Sequence, residues 1–336
     1  MNKQIVLASR PTGEPLAGNF RLVEAPLPEL AAGEVLVRHH YLSLDPYMRG
    51  RMNEGRSYAE AQRLNEVMVG ATVGEVVASR SAHFQVGDQV VGMGGWQEYQ
   101  LLDGDRRGAL RKLDRSPIPL PAYLGVVGMP GITAWYGLLQ VIAPQPGETI
   151  VVSAACGAVG SVVGQLARLR GCRAVGIAGG PEKCRVVVEE FGFDACIDYQ
   201  QHPDTRSLAA ALGAACPRGI DGDFENVGGR ILDAVMLRCN SFARIALCGM
   251  IAGYNGEAIP LSAPQLILVN RMKIEGFIVS EHMERWPEAL HELTRLVAEG
   301  RLKYRESIAQ GIESAPDAFI GLFKGRNLGK QLVRLI

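Results

Sequence analysis

The run of residues 149–164, TIVVSAACGAVGSVVG, constrains this chain more than any other segment. Its first five residues are β-branched or small and carry no charge, which suits a short strand covered on both faces. The strand runs into a turn made by Gly157, Ala158, Val159 and Gly160, and residues 159–170 then read as a helix. Gly157 would let the backbone approach a pyrophosphate, and Gly160 would let the helix sit close to the strand. Gly164 lies one turn further along the same face. The start of such a helix presents backbone N–H groups and the positive end of its dipole, a ready site for phosphate. The strict G-x-G-x-x-G spacing is absent. The setting is nonetheless a strand–turn–helix–strand unit of about 30 residues, the context in which such glycines bind dinucleotides rather than only aid packing.

The downstream pattern extends this unit. Strands are predicted at 173–178, 195–198, 222–226, 243–248 and 273–279. Helices are predicted at 181–191, opened by Pro181, around 208–212, and at 286–299. Strands alternating with helices imply an α/β domain with a Rossmann-type, doubly wound parallel sheet. Upstream, residues 34–38, 72–77 and 87–91 read as short strands separated by Gly and Pro, the mark of a barrel-like β domain. The expected division is residues 1–125 with 305–336 as a substrate domain, and 126–304 as the dinucleotide-binding domain. The last 30 residues look loop-rich and are expected to pack back on the first domain.

Charge narrows the partners. The 336 residues carry 35 Lys and Arg against 35 Asp and Glu, and no basic run stands out. That balance argues against nucleic acid and against an anionic membrane surface. The most apolar stretch, 150–169, is interrupted by polar residues and glycines, so no transmembrane helix is expected. No secretory leader is evident, and a cytoplasmic location follows as the expectation. All seven cysteines fall between residues 151 and 250. Residues 1–150 offer only His39, His40 and His83, and adjacent residues of a strand face opposite ways. A three-ligand zinc site is hard to build from these, so no metal is expected.

The tip of the second strand speaks to the nucleotide. NAD sites place Asp or Glu there to bond the ribose hydroxyls. This chain has Ala178-Gly179-Gly180, with Lys183 three residues on. A lysine near a helix N-terminus opposes the helix dipole unless an anion such as a 2′-phosphate sits beside it. NADPH (NADP+) is therefore expected over NAD. Tyr199, after the third strand, could reach the adenosine end or be an ordinary half-buried aromatic.

Seven further segments carry a family resemblance over nearly the whole chain. They are Leu42-Ser-Leu-Asp-Pro-Tyr-Met-Arg49, Gly128-Met-Pro-Gly-Ile-Thr-Ala134, the 157–164 turn, Phe224-Glu-Asn-Val-Gly-Gly229, Cys248-Gly249 with Tyr254-Asn255, Gly276-Phe-Ile-Val279 and Gly325-Arg-Asn-Leu-Gly-Lys330. The chain resembles the zinc-free branch of the medium-chain dehydrogenase/reductases, in particular the prostaglandin and curcumin reductase group. Zinc-dependent relatives carry a ligand cysteine where this chain has Asp-Pro-Tyr-Met-Arg. The resemblance implies a GroES-like substrate domain, NADPH as cofactor, a homodimer, and reduction of the C=C bond of α,β-unsaturated ketones and aldehydes. It implies that Lys183 and Tyr199 hold the 2′-phosphate. It places Gly179, Asn226, Cys248 through its backbone, Gly249, Phe277, Val279 and Asn327 along the rest of the cofactor. It also leads one to expect Gly where Ala154 stands and Ala where Cys156 stands.

Reduction of an enone builds negative charge on the carbonyl oxygen, so the site needs a hydrogen-bond donor aimed there. Tyr254 is the first candidate and Tyr58 the second, since a phenol donates without a charge change near neutral pH. Tyr47, Trp96 and Met129 are candidates for the substrate pocket, with Tyr47 open to the alternative of a structural role and Trp96 to that of filling the core. Two other readings stand beside this one: an NADPH:quinone reductase of the same fold, and a non-catalytic NADPH-binding protein.

Overall fold

The computed structural model describes residues 1–106, 108, 110–113 and 118–336. The chain divides into two units, residues 1–124 with 306–336, and residues 125–305.

The first unit opens with β1 (Asn2–Leu7) and β2 (Phe20–Ala25), which pair antiparallel. Then come β3 (Glu34–Ser43), the short helix α1 (Tyr47–Arg51), β4 (Thr72–Ser79), β5 (Gln89–Gly92), β6 (Tyr99–Asp103) and β7 (Leu110–Lys112). The strands at 34–38, 72–77 and 87–91 are therefore present, with β3 five residues longer than its apolar run suggested. β1, β2, β6 and β7 were not foreseen, because their sequences lack a clean two-residue alternation. Asp45-Pro-Tyr-Met-Arg forms α1 with its flank.

His39, in β3, is 1% exposed, and its Nδ1 lies 2.8 Å from the Gln97 carbonyl. A Cβ on Gly94 would stand 2.4 Å from its ring, so glycine at 94 leaves the imidazole its place. Burial lowers the His39 pKa to about 4. The unfolded histidine takes up a proton near pH 6.5. Stability is thus complete above that value and falls as the pH drops toward 4, by about 3 kcal/mol at the limit. Urea unfolding at a series of pH values is expected to show this decline, and His39→Gln to make it shallower. Equal slopes in the two proteins would remove His39 as the cause. Its neighbour His40 is half-buried and lies 3.8 Å from Glu75.

The second unit begins with α2 (Met129–Tyr136), which continues into a π-helical turn, Gly137–Ile142. It then alternates β8 (Thr149–Ser153), α3 (Gly160–Leu169), β9 (Arg173–Ala178), α4 (Pro181–Glu189), β10 (Ala195–Asp198), α5 (Thr205–Ala215), β11 (Ile220–Glu225), α6 (Gly229–Met236), β12 (Cys239–Leu247), α7 (Gln265–Val269), β13 (Lys273–Gly276) and α8 (Trp286–Ala298). The strands form one parallel sheet in the order β10-β9-β8-β11-β12-β13. This is the Rossmann order, in which the winding reverses between the first and fourth strands, here β8 and β11. Ligands of such sheets lie outside the carboxyl ends of the strands at that reversal.

Local chemistry explains the elements. Every residue of β8 is buried. α4 and α8 carry Pro in their first turn, where no N–H is needed. Asp204 caps α5 by accepting the Ser207 N–H at 2.7 Å. Gly164 sits where a Cβ would come within 1.8 Å of the Phe193 ring, so only a bare Cα lets α3 close on that side chain.

The tail corrects one expectation. It is not loop-rich: β14 (Glu306–Gln310), α9 (Ala315–Phe323) and β15 (Lys330–Arg334) account for most of it. β15 pairs antiparallel with β3 and parallel with β14, which joins the tail to the sheet of the first unit. Lys330 explains part of this anchoring. Its buried ammonium donates to the carbonyls of Leu44, at 2.7 Å, and Gln331, at 3.0 Å, and lies 3.1 Å from an Asp45 carboxylate oxygen. A buried cation holds only if so compensated. The tail thereby fixes the segment that leads into α1.

Trp96 is also corrected. It is 0% exposed and stacks on Phe20 at 5.5 Å, with Phe319 of α9 meeting it edge-on at 5.5 Å. A side chain so enclosed fills the core of the first unit and walls no pocket.

Candidate active site

The site grows from the carboxyl ends of the second unit's strands. At the end of β8, Ala154 turns the chain with φ +48°, a left-handed conformation in which glycine avoids a Cβ penalty. That is a physical reason for the glycine expected at this position. Gly157 donates its N–H to the Ala154 carbonyl at 2.9 Å. Gly160, the first residue of α3, lies so close to the same carbonyl that a Cβ would approach it to 2.4 Å. The turn is thus a backbone cradle with the N-terminus of a ten-residue helix behind it.

At the tip of β9, a Cβ on Gly179 would lie 3.0 Å from Cε1 and 3.3 Å from the hydroxyl of Tyr199. The tyrosine ring therefore covers the point where an NAD enzyme would carry its carboxylate. Any side chain at 179 would press on the Tyr199 ring and the Gln200 amide. Gly180 donates its N–H to Asp198 at 2.8 Å. Lys183 stands in the first turn of α4, where partial burial lowers its pKa and the Cys156 sulfur of the turn lies close enough to oppose that shift. Lys183, Tyr199 and the glycine turn thus gather at neighbouring strand ends.

At the reversal point, Asn226 ties β11 to β8: its N–H donates to Ser153 Oγ at 2.7 Å and its Nδ2 to the Ser153 carbonyl at 2.8 Å. Ser153 donates to Glu225 at 2.7 Å, and the same carboxylate oxygen accepts the N–H groups of Val227, at 2.5 Å, and Gly228, at 2.8 Å. Glu225 was missed by sequence reasoning, since an acid inside a strand gives no signal of its own. It fixes the loop that carries Asn226.

Beyond β12 and β13 lies a cavity of about 470 Å³ lined by Cys248, Gly249, Met250, Tyr254, Phe277 and Ile278 among others. Burial pushes the Cys248 thiol up to about 12, so it remains an inert thiol and its backbone is what it offers. Phe277 meets Phe224 edge-on at 6.1 Å, and both rings occupy space that a Cβ on Gly137 would invade. Val279 is buried beside them in sequence. The Tyr254 hydroxyl accepts the Met250 N–H at 3.4 Å and lies where a Cβ on Gly249 would meet it at 3.0 Å. A phenol can both accept and donate a hydrogen bond. Met129 begins α2 and is partly exposed.

The remaining candidates belong to the first unit. Tyr47 opens α1, and burial with the nearby Asp45 carboxylate raises its pKa, so it stays a neutral phenol. Tyr58 is 59% exposed. Asn327 donates to the Gly329 carbonyl at 2.8 Å. Among the described residues no group of three or more His, Cys, Asp or Glu side chains is placed to hold a metal ion.

The comparisons with known proteins agree with this architecture. A model of the N-terminal domain of oxidoreductases matches residues 3–110, and a zinc-binding dehydrogenase model matches 158–295. The NADPH-dependent curcumin reductase of Escherichia coli (strain K12) is 46% identical, over 99% of this chain and 97% of its own. The chain belongs to the zinc-independent reductase branch of the medium-chain dehydrogenase/reductase family. Within it, the 2-alkenal reductase (NADP(+)-dependent) of Nicotiana tabacum is 41% identical, over 99% of this chain and 97% of its own. The crystal structure of CurA in complex with NADPH from Vibrio vulnificus superimposes with a TM-score of 0.92 at 47% identity, covering 99% of each chain.

Proposed function

We propose that this protein is an NADPH-dependent reductase of the C=C bond of α,β-unsaturated ketones and aldehydes. The observation that carries the reading is Tyr254: a phenol in a cavity at the sheet's carboxyl edge, flanked by Gly249 and Phe277. The residues present fit the cofactor. The bare Gly157–Gly160 cradle suits a pyrophosphate, and the covered Gly179 with Lys183 and Tyr199 suits a 2′-phosphate. Asn226, Gly249, Phe277 and Val279, with Cys248 through its backbone, would hold the nicotinamide half, and Asn327 is assigned to the same ligand by family likeness. When bound, NADPH supplies a hydride to the β-carbon of the enone.

The chain's own part is electrostatic. Tyr254 donates to the substrate carbonyl oxygen as negative charge gathers there, beside the apolar side chains of Phe277 and Ile278. Solvent or Tyr254 then protonates the α-carbon. Tyr58, on the exposed loop of the first unit, is the second donor candidate; Tyr47 and Met129 complete the proposed substrate contacts.

The same reading gives the first unit a GroES-like substrate role and the second the dinucleotide role. A homodimer is supported by the edge of the parallel sheet: β13 is unpaired on one side among the described residues, and Phe242, Leu268 and Val269 nearby are 64%, 80% and 58% exposed. A cytoplasmic location is supported by seven cysteines present as free thiols.

The experiment mixes chelator-treated protein with NADPH and trans-2-nonenal or 3-nonen-2-one, follows nicotinamide absorbance and identifies the product. The expected product is the saturated carbonyl. An allylic alcohol would mean that the carbonyl, not the alkene, is reduced, and turnover of quinones alone would favour a quinone reductase.

A further inference from the structure

Arg230, which follows the Gly228–Gly229 pair at the start of α6, is bound to the turn that carries Tyr199. One guanidinium nitrogen donates to the His202 carbonyl and the other to the Tyr199 carbonyl at 3.3 Å. The guanidinium carbon stands over the Tyr199 ring, 5.6 Å from its centroid. The ring in turn meets Gly179, as described above. A continuous contact therefore runs from α6, through the ring, to the tip of β9.

The turn needs such a hold. Residues 199–201 form a single 3-10 turn, too short to fix a ring direction by itself. Its one acidic neighbour, Asp198, is occupied by the N–H groups of Gly180, at 2.8 Å, and Gln200, at 3.1 Å, so it braces the backbone and leaves the ring to other partners. Arg230 grips the two carbonyls at the ends of the turn and the ring face at once, which a planar guanidinium can do and a point charge cannot.

We infer that Arg230 is a positioning residue for cofactor choice: by clamping Tyr199 against Gly179 it sets the preference for a 2′-phosphorylated nicotinamide dinucleotide over the unphosphorylated form. The inference rests on the NADPH reading above. Loosening the ring costs affinity only to a ligand group that lies at this strand tip. NADPH would bring a doubly charged 2′-phosphate there, whereas NADH would bring only a neutral 2′-hydroxyl with far less to lose.

The test is steady-state kinetics with NADPH and NADH at a fixed enone concentration, for wild type, Arg230→Met and Arg230→Lys. In Arg230→Met the NADPH KM is expected to rise about tenfold, equivalent to about 1.4 kcal/mol. The NADH KM and both kcat values are expected to stay within about twofold, since uniform binding, not the chemical step, has been lost. Arg230→Lys, which keeps the cation but cannot grip both carbonyls, should fall between. An unchanged NADPH KM, or an equal rise for both nucleotides, overturns the inference while leaving the NADPH reading in place. A wild type that uses NADH as well as NADPH overturns that reading and the inference with it. If the thermal midpoint shows that Arg230→Met does not fold, Arg230→Gln replaces it, with the same expected split.

Discussion

Tyr254→Phe is expected to lower kcat for a simple enone by roughly 10²-fold, with the NADPH KM changed by less than about twofold. The substitution removes one hydroxyl from the cavity wall and leaves the glycine turn, Lys183 and Tyr199, proposed for the phosphates, untouched. The loss should appear equally in kcat and kcat/KM, the sign of an interaction made in the transition state. A thermal midpoint close to that of the wild type checks that the variant, which loses the 3.4 Å bond from the Met250 N–H, is folded. Unchanged turnover would take Tyr254 out of the mechanism and move attention to Tyr58. A quinone acceptor, which does not need an oxygen-directed donor, should be reduced as fast by the variant as by the wild type.

The second large effect concerns stability. Asp223 and Glu225 alternate on the same face of β11, and both are fully buried. Glu225 has three donors on one oxygen, whereas neither carboxylate oxygen of Asp223 has a hydrogen-bond partner. Burial, with the Glu225 charge beside it, holds the Asp223 pKa well above the usual carboxylate range. Burial raises the Glu225 pKa as well, but the hydrogen bonds it accepts oppose that shift, so Asp223 is the acid of the two that is held protonated. The unfolded aspartate loses its proton near pH 4. Above that value the native chain binds one proton more than the unfolded chain, so stability falls as the pH rises until the folded pKa is passed. Asp223→Val removes an unsatisfied buried acid from a strand that favours β-branched residues, and should stabilise the protein by about 1–3 kcal/mol at neutral pH. The gain should shrink toward pH 4. Denaturant unfolding at pH 5, 7 and 8.5 measures both points; a gain independent of pH would place the proton elsewhere.

His39 and Asp223 pull in opposite directions. The buried histidine makes the first unit weaken in acid, and the buried aspartate makes the second unit weaken as the pH rises. Neither effect is visible in the sequence, where each residue stands among other polar letters, Arg38 and His40 in β3 and Asp221 and Glu225 in β11, and nothing marks which of them is buried.

Much of the parallel-sheet unit was legible. The buried β8 run, the proline-opened helix α4 and the glycine turn announce themselves because each follows from a local rule: residue period, a missing N–H, a missing Cβ. The barrel-like unit was less so. Its strands are short and irregular, and β1, β2, β6 and β7 exist because partners far along the chain complete them. The tail shows the same limit: β15 is a strand because β3 and β14 lie on either side of it.

The site divides in the same way. The sequence by itself determined that a glycine turn opening a helix follows β8, that no carboxylate stands at the tip of β9, and that a lysine follows it, since those are facts of residue identity at fixed spacing. Only the tertiary structure decided what covers that tip: the Tyr199 ring meets Gly179 from the turn after β10, and Arg230 of α6 stands over that ring. It also decided that Trp96 is core and that the Tyr254 hydroxyl faces a cavity beside Gly249, since burial and approach depend on neighbours that are distant in the chain.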